Sequence, residues 1–219
     1  MRRMPSLLAL LWIGTAGTAL AQERGELLRG RWAIGISVGA SSFGAGTEGK
    51  DADGETLRFM PYRPTMWGVA AQYGGPGFRI GIAARYGEPG LGARGVTISD
   101  EGESTPGALI VVDKAFHLTQ ITAGVSTRLA RLRGGPSLRP SLAVDLQRWT
   151  GAGSPTRSVV GGQAGLALEI ALTRALAVGL EGEIGLTRAS PFRKEDLPEG
   201  FERRSPWRRT VSAGLYWRF

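Results

Sequence analysis

Apolar and polar residues alternate one by one along separate stretches of this chain, and the last stretch is the cleanest. From Arg208 to Phe219 it reads RRTVSAGLYWRF. Val211, Ala213, Leu215, Trp217 and Phe219 share one side; Thr210, Ser212, Gly214, Tyr216 and Arg218 share the other. Successive side chains of a strand point to opposite faces, so the spacing predicts a β-strand with one apolar and one polar face. It does not fit a helix, whose apolar positions recur every three or four residues.

Seven earlier stretches have the same parity. The first, over about residues 31–40, sets Trp32, Ile34, Ile36 and Val38 against small and polar neighbours, and residues 41–64 then predict a long polar loop. Trp67 to Tyr73 and Phe78 to Tyr86 predict a hairpin, in which a turn over residues 74–77 sets Tyr73 opposite Phe78 and Ala71 opposite Ile80. A second long loop is expected over 88–114, with 96–99 and 109–112 as strand extensions. The fourth strand carries Ile121, Ala123, Val125 and Leu129 on its apolar side. The fifth carries Leu138, Pro140, Leu142, Val144 and Leu146, and its proline lacks a ladder donor. Leu166, Leu168 and Ile170, then a three-residue turn at Thr173-Arg174-Ala175, then Leu176, Val178, Leu180 and Ile184, predict strands six and seven. The last long loop covers 188–207.

Eight strands joined by alternating long and short connections predict an all-β fold, an eight-stranded antiparallel up-and-down transmembrane β-barrel. Period two alone also fits a soluble barrel with a greasy interior, such as a lipocalin-like carrier. The polar face argues for the membrane form. It mixes Arg79, Arg85, Arg128, Arg139 and Arg218 with Asp145, Glu169, Glu181 and Glu183 among small residues, which suits a filled eight-stranded lumen. Trp32, Tyr73, Phe78, Trp217 and Phe219 gather at one end of the apolar face, as a membrane-interface girdle would.

Export fits this reading. Arg2 and Arg3, an apolar run over 7–14 and Ala19-Leu20-Ala21 predict a cleaved signal peptide over 1–21, a short periplasmic lead over 22–30 and a barrel domain over 31–219. The apolar run is too short for a membrane helix. The chain has no cysteine, which excludes disulfides and cysteine-based metal sites. Its 34 glycines form no repeat and suit tight turns and close interior packing. Loss of Arg2 and Arg3 lowers the formal charge of +8 to about +6. Export sets that charge against anionic lipid rather than nucleic acid.

The signal, the strand rhythm and the closing Ala213-Gly214-Leu215-Tyr216-Trp217-Arg218-Phe219 resemble the small bacterial outer-membrane barrels of the OmpA/OmpX type. The resemblance implies the bacterial outer membrane, contact with its lipids, and a last strand read by the barrel-assembly machinery. It also implies that the peptidoglycan-binding domain of full-length OmpA is missing after Phe219.

Two groups are candidates for chemistry. A three-residue turn pairs residue 167 with 181 and sets Glu169 diagonally beside Glu181, about 7–8 Å apart. Arg128, Arg139 or Arg218 are the expected counterions. Either a salt-bridged plug or an ion path would use such a group, and a plug suits an eight-stranded interior. His117 and Thr119 face outward, with Arg148 as the expected neighbour and no acid at that level to orient the histidine, so no catalytic triad is expected. The single histidine and scattered loop acids predict no metal or cofactor. The expected function is structural or surface-interacting, through long outer loops. The alternatives are a narrow passive channel, a lipid-modifying enzyme and a periplasmic carrier.

Overall fold

The computed structural model describes residues 31–44, 47–50, 56–100, 103–131, 135–151, 155–192, 200–202 and 204–219; the side chains of 96–100, 103–109 and 131 are outside the description. The predicted signal and lead lie outside the described residues. Eight strands form the barrel: β1 (Arg31–Gly44), β4 (Thr65–Gly74), β5 (Phe78–Gly87), β8 (Phe116–Thr127), β10 (Ser137–Gly151), β11 (Arg157–Ala171), β12 (Leu176–Thr187) and β13 (Trp207–Arg218). Each pairs antiparallel with its neighbours in the order β1-β4-β5-β8-β10-β11-β12-β13, and β13 returns to β1. The seam runs from Ala33 opposite Arg218 to Gly44 opposite Trp207, and the Phe219 amide donates to the Trp32 carbonyl. Closure leaves the wall no bare edge.

Alternation sorts side chains as the sequence predicts. Ile36, Val69, Ile82, Ile121, Val144, Leu166, Ile184 and Val211 point outward and are exposed, while Arg85, Gln120, Asp145, Gln163 and Glu183 point inward and are buried. Pro140 pairs with Leu166 on β11, but the β8 ladder starts only at Ser141, so its missing donor falls where no barrel neighbour needs it. The Thr173-Arg174-Ala175 turn is closed by the Leu172 amide on the Leu176 carbonyl, and Ala167 stands opposite Glu181. At Gly35 a Cβ would lie 2.4 Å from the Tyr216 ring, so glycine there lets the ring lie flat against the inner wall.

The structure corrects two elements. In the first hairpin Tyr73 stands opposite Ile80 and Ala71 opposite Ile82, a slide of two residues from the expected register. Gly74 stays in the ladder at φ 144°, a conformation that would push a Cβ into the Phe78 carbonyl, and the turn shrinks to residues 75–77. A slide of two residues keeps every side chain on its face, so face parity could not detect it.

The expected long loops over 41–64 and 88–114 are hairpins. β2 (Thr47–Lys50) pairs with β3 (Thr56–Tyr62), β3 with β6 (Gly90–Asp100), and β6 with β7 (Glu103–Val112). β3 leads into β4, β5 into β6 and β7 into β8, each after two or three residues, so this four-stranded sheet carries half the wall upward. The expected extensions over 96–99 and 109–112 fall within β6 and β7, and glycines, prolines and charges hid the rest of these strands from a period-two reading. Two register shifts interrupt the β6–β7 ladder between Arg94 and Ile98. Ala130–Arg131 forms a two-residue strand, β9, that pairs with the start of β10.

Candidate functional site

The inward residues stack in layers along the lumen. At the end with the short turns, Glu169 on β11 receives Arg79 Nη1 from β5 at 2.5 Å and Arg218 Nη2 from β13 at 2.5 Å. Opposite Glu169 on the intervening β12 stands Gly179, which puts no side chain between Glu169 and Arg218. Arg139 is buried and donates Nη1 to the Pro76 carbonyl at 2.6 Å. Arg128 lies one residue past β8, its backbone amide on the Gly77 carbonyl. Of the expected counterions Arg128, Arg139 and Arg218, the ion pairs give Arg218 to Glu169, together with Arg79, which was not among them.

The next layer joins Arg85 on β5 to Glu183 on β12 by a two-pronged ion pair, with Glu181 3.6 Å from the same guanidinium. Glu169 and Glu181 are diagonal neighbours in the ladder, and each faces its own arginine. A cavity of about 120 Å³ lies between these two layers, lined by Thr122, Ser126, Ser141, Tyr216 and the charged groups. It is large enough for several waters.

Above them lies an amide layer. Gln163 donates to Glu183 at 2.9 Å, Gln120 donates to Asp145 at 3.0 Å, and Arg208 donates to both glutamines at 2.7 Å. Gln147 donates to Asp145 at 2.6 Å and accepts from the Trp149 indole at 3.1 Å. These glutamines and Arg208 sit at the predicted inward parity, but nothing in their type singled them out beforehand.

The lumen ends in an apolar cap at the loop side. Phe43, Met66, Leu118, Trp149 and Val159 are buried together inside the barrel mouth, with Phe116 and Ala189 against them. Phe192, from the segment after β12, lays its ring 5.8 Å from that of Phe116. Arg157 holds this segment by its Phe192 carbonyl at 2.5 Å. Inward parity carried past the predicted strand ends would have found Phe43, Leu118 and Trp149.

Outside, Trp32 and Tyr73 meet at a tilt of 49° with ring centroids 5.1 Å apart near exposed Trp217 and Phe219, and half-buried Phe78 lies by the same turns. A second aromatic level, Trp67 opposite Tyr86 and Trp207 under Arg209, lies toward the loops. Trp207 and Trp217 are ten residues apart on β13, about 25 Å along the barrel axis at ordinary strand rise and tilt. That is the height of an outer-membrane apolar band.

His117 faces outward. Its Nδ1 lies 2.8 Å from the Tyr86 hydroxyl, which donates to Glu88 Oε1 at 3.0 Å, and Lys114 pairs with Glu88 at 3.2 Å. An acid does stand at this level, contrary to expectation, because Glu88 reaches down from the top of β5. The Tyr86 hydroxyl and the Lys114 ammonium hold the Glu88 carboxyl below its ordinary range. Thr119 lies opposite Arg148, as expected, and opposite Tyr86. The described residues contain no cluster of three potential metal ligands.

No family model matches the chain, and no curated protein matches it in sequence. Among solved structures, OprG from Pseudomonas aeruginosa aligns with 87% of this chain and 96% of its own, at 10% identity and a TM-score of 0.55. Neisserial surface protein A aligns with 85% and 99%, at 12% identity and a TM-score of 0.47. Ail of Yersinia pestis aligns with 87% and 99%, at 14% identity and a TM-score of 0.45. The likeness to OprG shows the fold. A closed eight-stranded barrel with a polar, filled interior and an apolar belt between two aromatic levels is a protein of the bacterial outer membrane, bathed by its lipids.

Proposed function

We propose that this barrel acts at the cell surface through its raised sheet and loops, and that its lumen is a structural plug. The observation that carries the reading is the stacked lumen: two ion-pair layers, an amide layer, and the Phe43–Trp149 cap in series. A conducting path would have to break the Arg85–Glu183 tie and displace Trp149. The raised sheet, by contrast, is built to stand clear of the membrane. The segment before β13 clasps its β2 edge: Glu48 and Glu202 exchange backbone bonds, Phe59 meets Phe201 at 5.5 Å, and Arg204 pairs with Glu48 at 2.7 Å. Function in such folds resides in what the scaffold holds up, and here that is the sheet β2-β3-β6-β7.

The reading assigns no catalysis to His117. Its Nδ1 is engaged by Tyr86, a phenol already committed to Glu88, which leaves no activated hydroxyl in the group. Planar-bilayer recording of the refolded protein tests the proposal. Silence is expected, and large regular conductance steps would overturn the plug. Replacing residues 90–112 by a short turn is expected to abolish surface binding by cells that display the protein while preserving the heat-modifiable folded band. Unchanged binding would overturn the sheet's role.

A further inference from the structure

Among the described residues, the short-turn mouth of the barrel carries an excess of positive charge. Arg31, Arg79, Arg139, Arg174 and Arg218 converge there, and Glu169 is the one carboxylate among the described side chains at that end. Glu169 is occupied by Arg79 and Arg218. No described ion pair takes Arg31, Arg139 or Arg174. Arg139 is 3% exposed and has one partner, the Pro76 carbonyl; its Nε and Nη2 are buried without an acceptor, as is Nε of Arg218. The Pro76 turn forms one wall of a hollow of about 290 Å³, and Arg31, Arg79, Arg174 and Arg218 line the rest with Gln72.

Four arginines around an open hollow, two of them without an ion-pair partner among the described residues, are half of a binding site. Guanidinium forks match the oxygens of phosphate in pairs, and several arginines around one hollow favour a multiply charged oxyanion over chloride. We propose that this mouth binds a phosphate group, presented either by an anionic lipid headgroup or as free phosphate. Short turns face the periplasm in such barrels, so the lipid source is the inner leaflet. The bound group would accept from Arg31 and Arg174, whose guanidinium groups line the hollow, and would neutralise the repulsion among the arginines. The inference rests on the barrel and its orientation, independently of any role for the outer loops.

The test uses the folded protein in nanodiscs and reads the arginine Nε–Hε signals by NMR. In one arm inorganic phosphate is titrated into phosphatidylcholine discs. In the other, phosphatidylglycerol replaces part of the lipid with no phosphate present. Chloride at matched ionic strength is the control. Saturable shifts at Arg31, Arg174 and Arg218 are expected in at least one arm, and the responding arm names the source. R31Q/R174Q changes two exposed side chains, so it folds, and it should weaken binding several-fold. No saturable shift in either arm, shifts equalled by chloride, or unchanged affinity in folded R31Q/R174Q would overturn the site.

Discussion

Arg85 on β5 and Glu183 on β12 sit on diametrically opposite strands, and each guanidinium nitrogen of the pair holds one carboxylate oxygen. The tie crosses the whole lumen, and Arg208 on β13 makes a second one to Gln120 on β8, again from opposite walls. Removing one partner of a buried pair strands the other charge, at a cost of about 3–5 kcal/mol. Glu183→Gln is therefore expected to lower unfolding stability by about that much. Replacing both residues by leucine should cost less. Urea unfolding followed by tryptophan fluorescence in lipid vesicles measures both, and a single mutant as stable as wild type would remove the tie from the account.

Trp149 anchors the cap through its ring contact with Phe43 at 5.5 Å and its indole bond to Gln147. Trp149→Ala is expected to cost about 3–5 kcal/mol, the usual range for emptying so large a buried site. The variant should stay silent in planar bilayers, because three polar layers remain below the cap. Channel openings in W149A alone would show that the cap is the whole barrier.

Tyr216 lies against Gly35, where even one added carbon has no room. Gly35→Val is expected to displace the ring and destabilise the seam between β1 and β13. Tyr216→Phe, which keeps the ring, should be mild. The pair of variants separates ring packing from the hydroxyl when both are unfolded side by side.

Glu88 lies above the wall, at the top of β5. Its carboxyl is held low by the Tyr86 hydroxyl first and by Lys114 second. A group depressed in the folded state stabilises above its unfolded pKa, and that contribution is lost as pH falls through the folded value. The Tyr86–Glu88–Lys114 clasp is therefore expected to hold at neutral pH and to release below the ordinary carboxylate range. Carboxyl ¹³C titration should give Glu88 a value under the ordinary 4.5, and Tyr86→Phe should move it up. No movement in that variant would assign the effect to Lys114 alone.

The wall was legible in the sequence because its two faces see different media. Wherever lipid lies on one side, as at Ile36, Ile82 or Val211, alternation is enforced residue by residue. Above the membrane both faces of β3 and β6 meet water or protein, nothing enforces period two, and Gly90, Gly92 and Gly95 read as loop. The charged inward residues were visible one by one, as Arg85 and Glu183 were. Which arginine meets which glutamate depends on strand order around the ring, and alternation does not carry that information. Glu88 was missed at His117 for the same kind of reason: it reaches its neighbours from beyond a strand end rather than from a ladder position.

The seam sets an order on folding. Its pairs, Ala33 with Arg218 through Gly44 with Trp207, join residues more than 160 apart in the chain. Contacts so distant form late, because the loop between them must first be ordered. Until β13 docks, β1 and β12 each present an unpaired row of backbone donors and acceptors to whatever sheet is nearest. A sheet with fewer strands would keep those bare edges. Its last twelve residues convert an aggregation-prone open sheet into a finished one, and a lesion there is felt by the whole molecule at once.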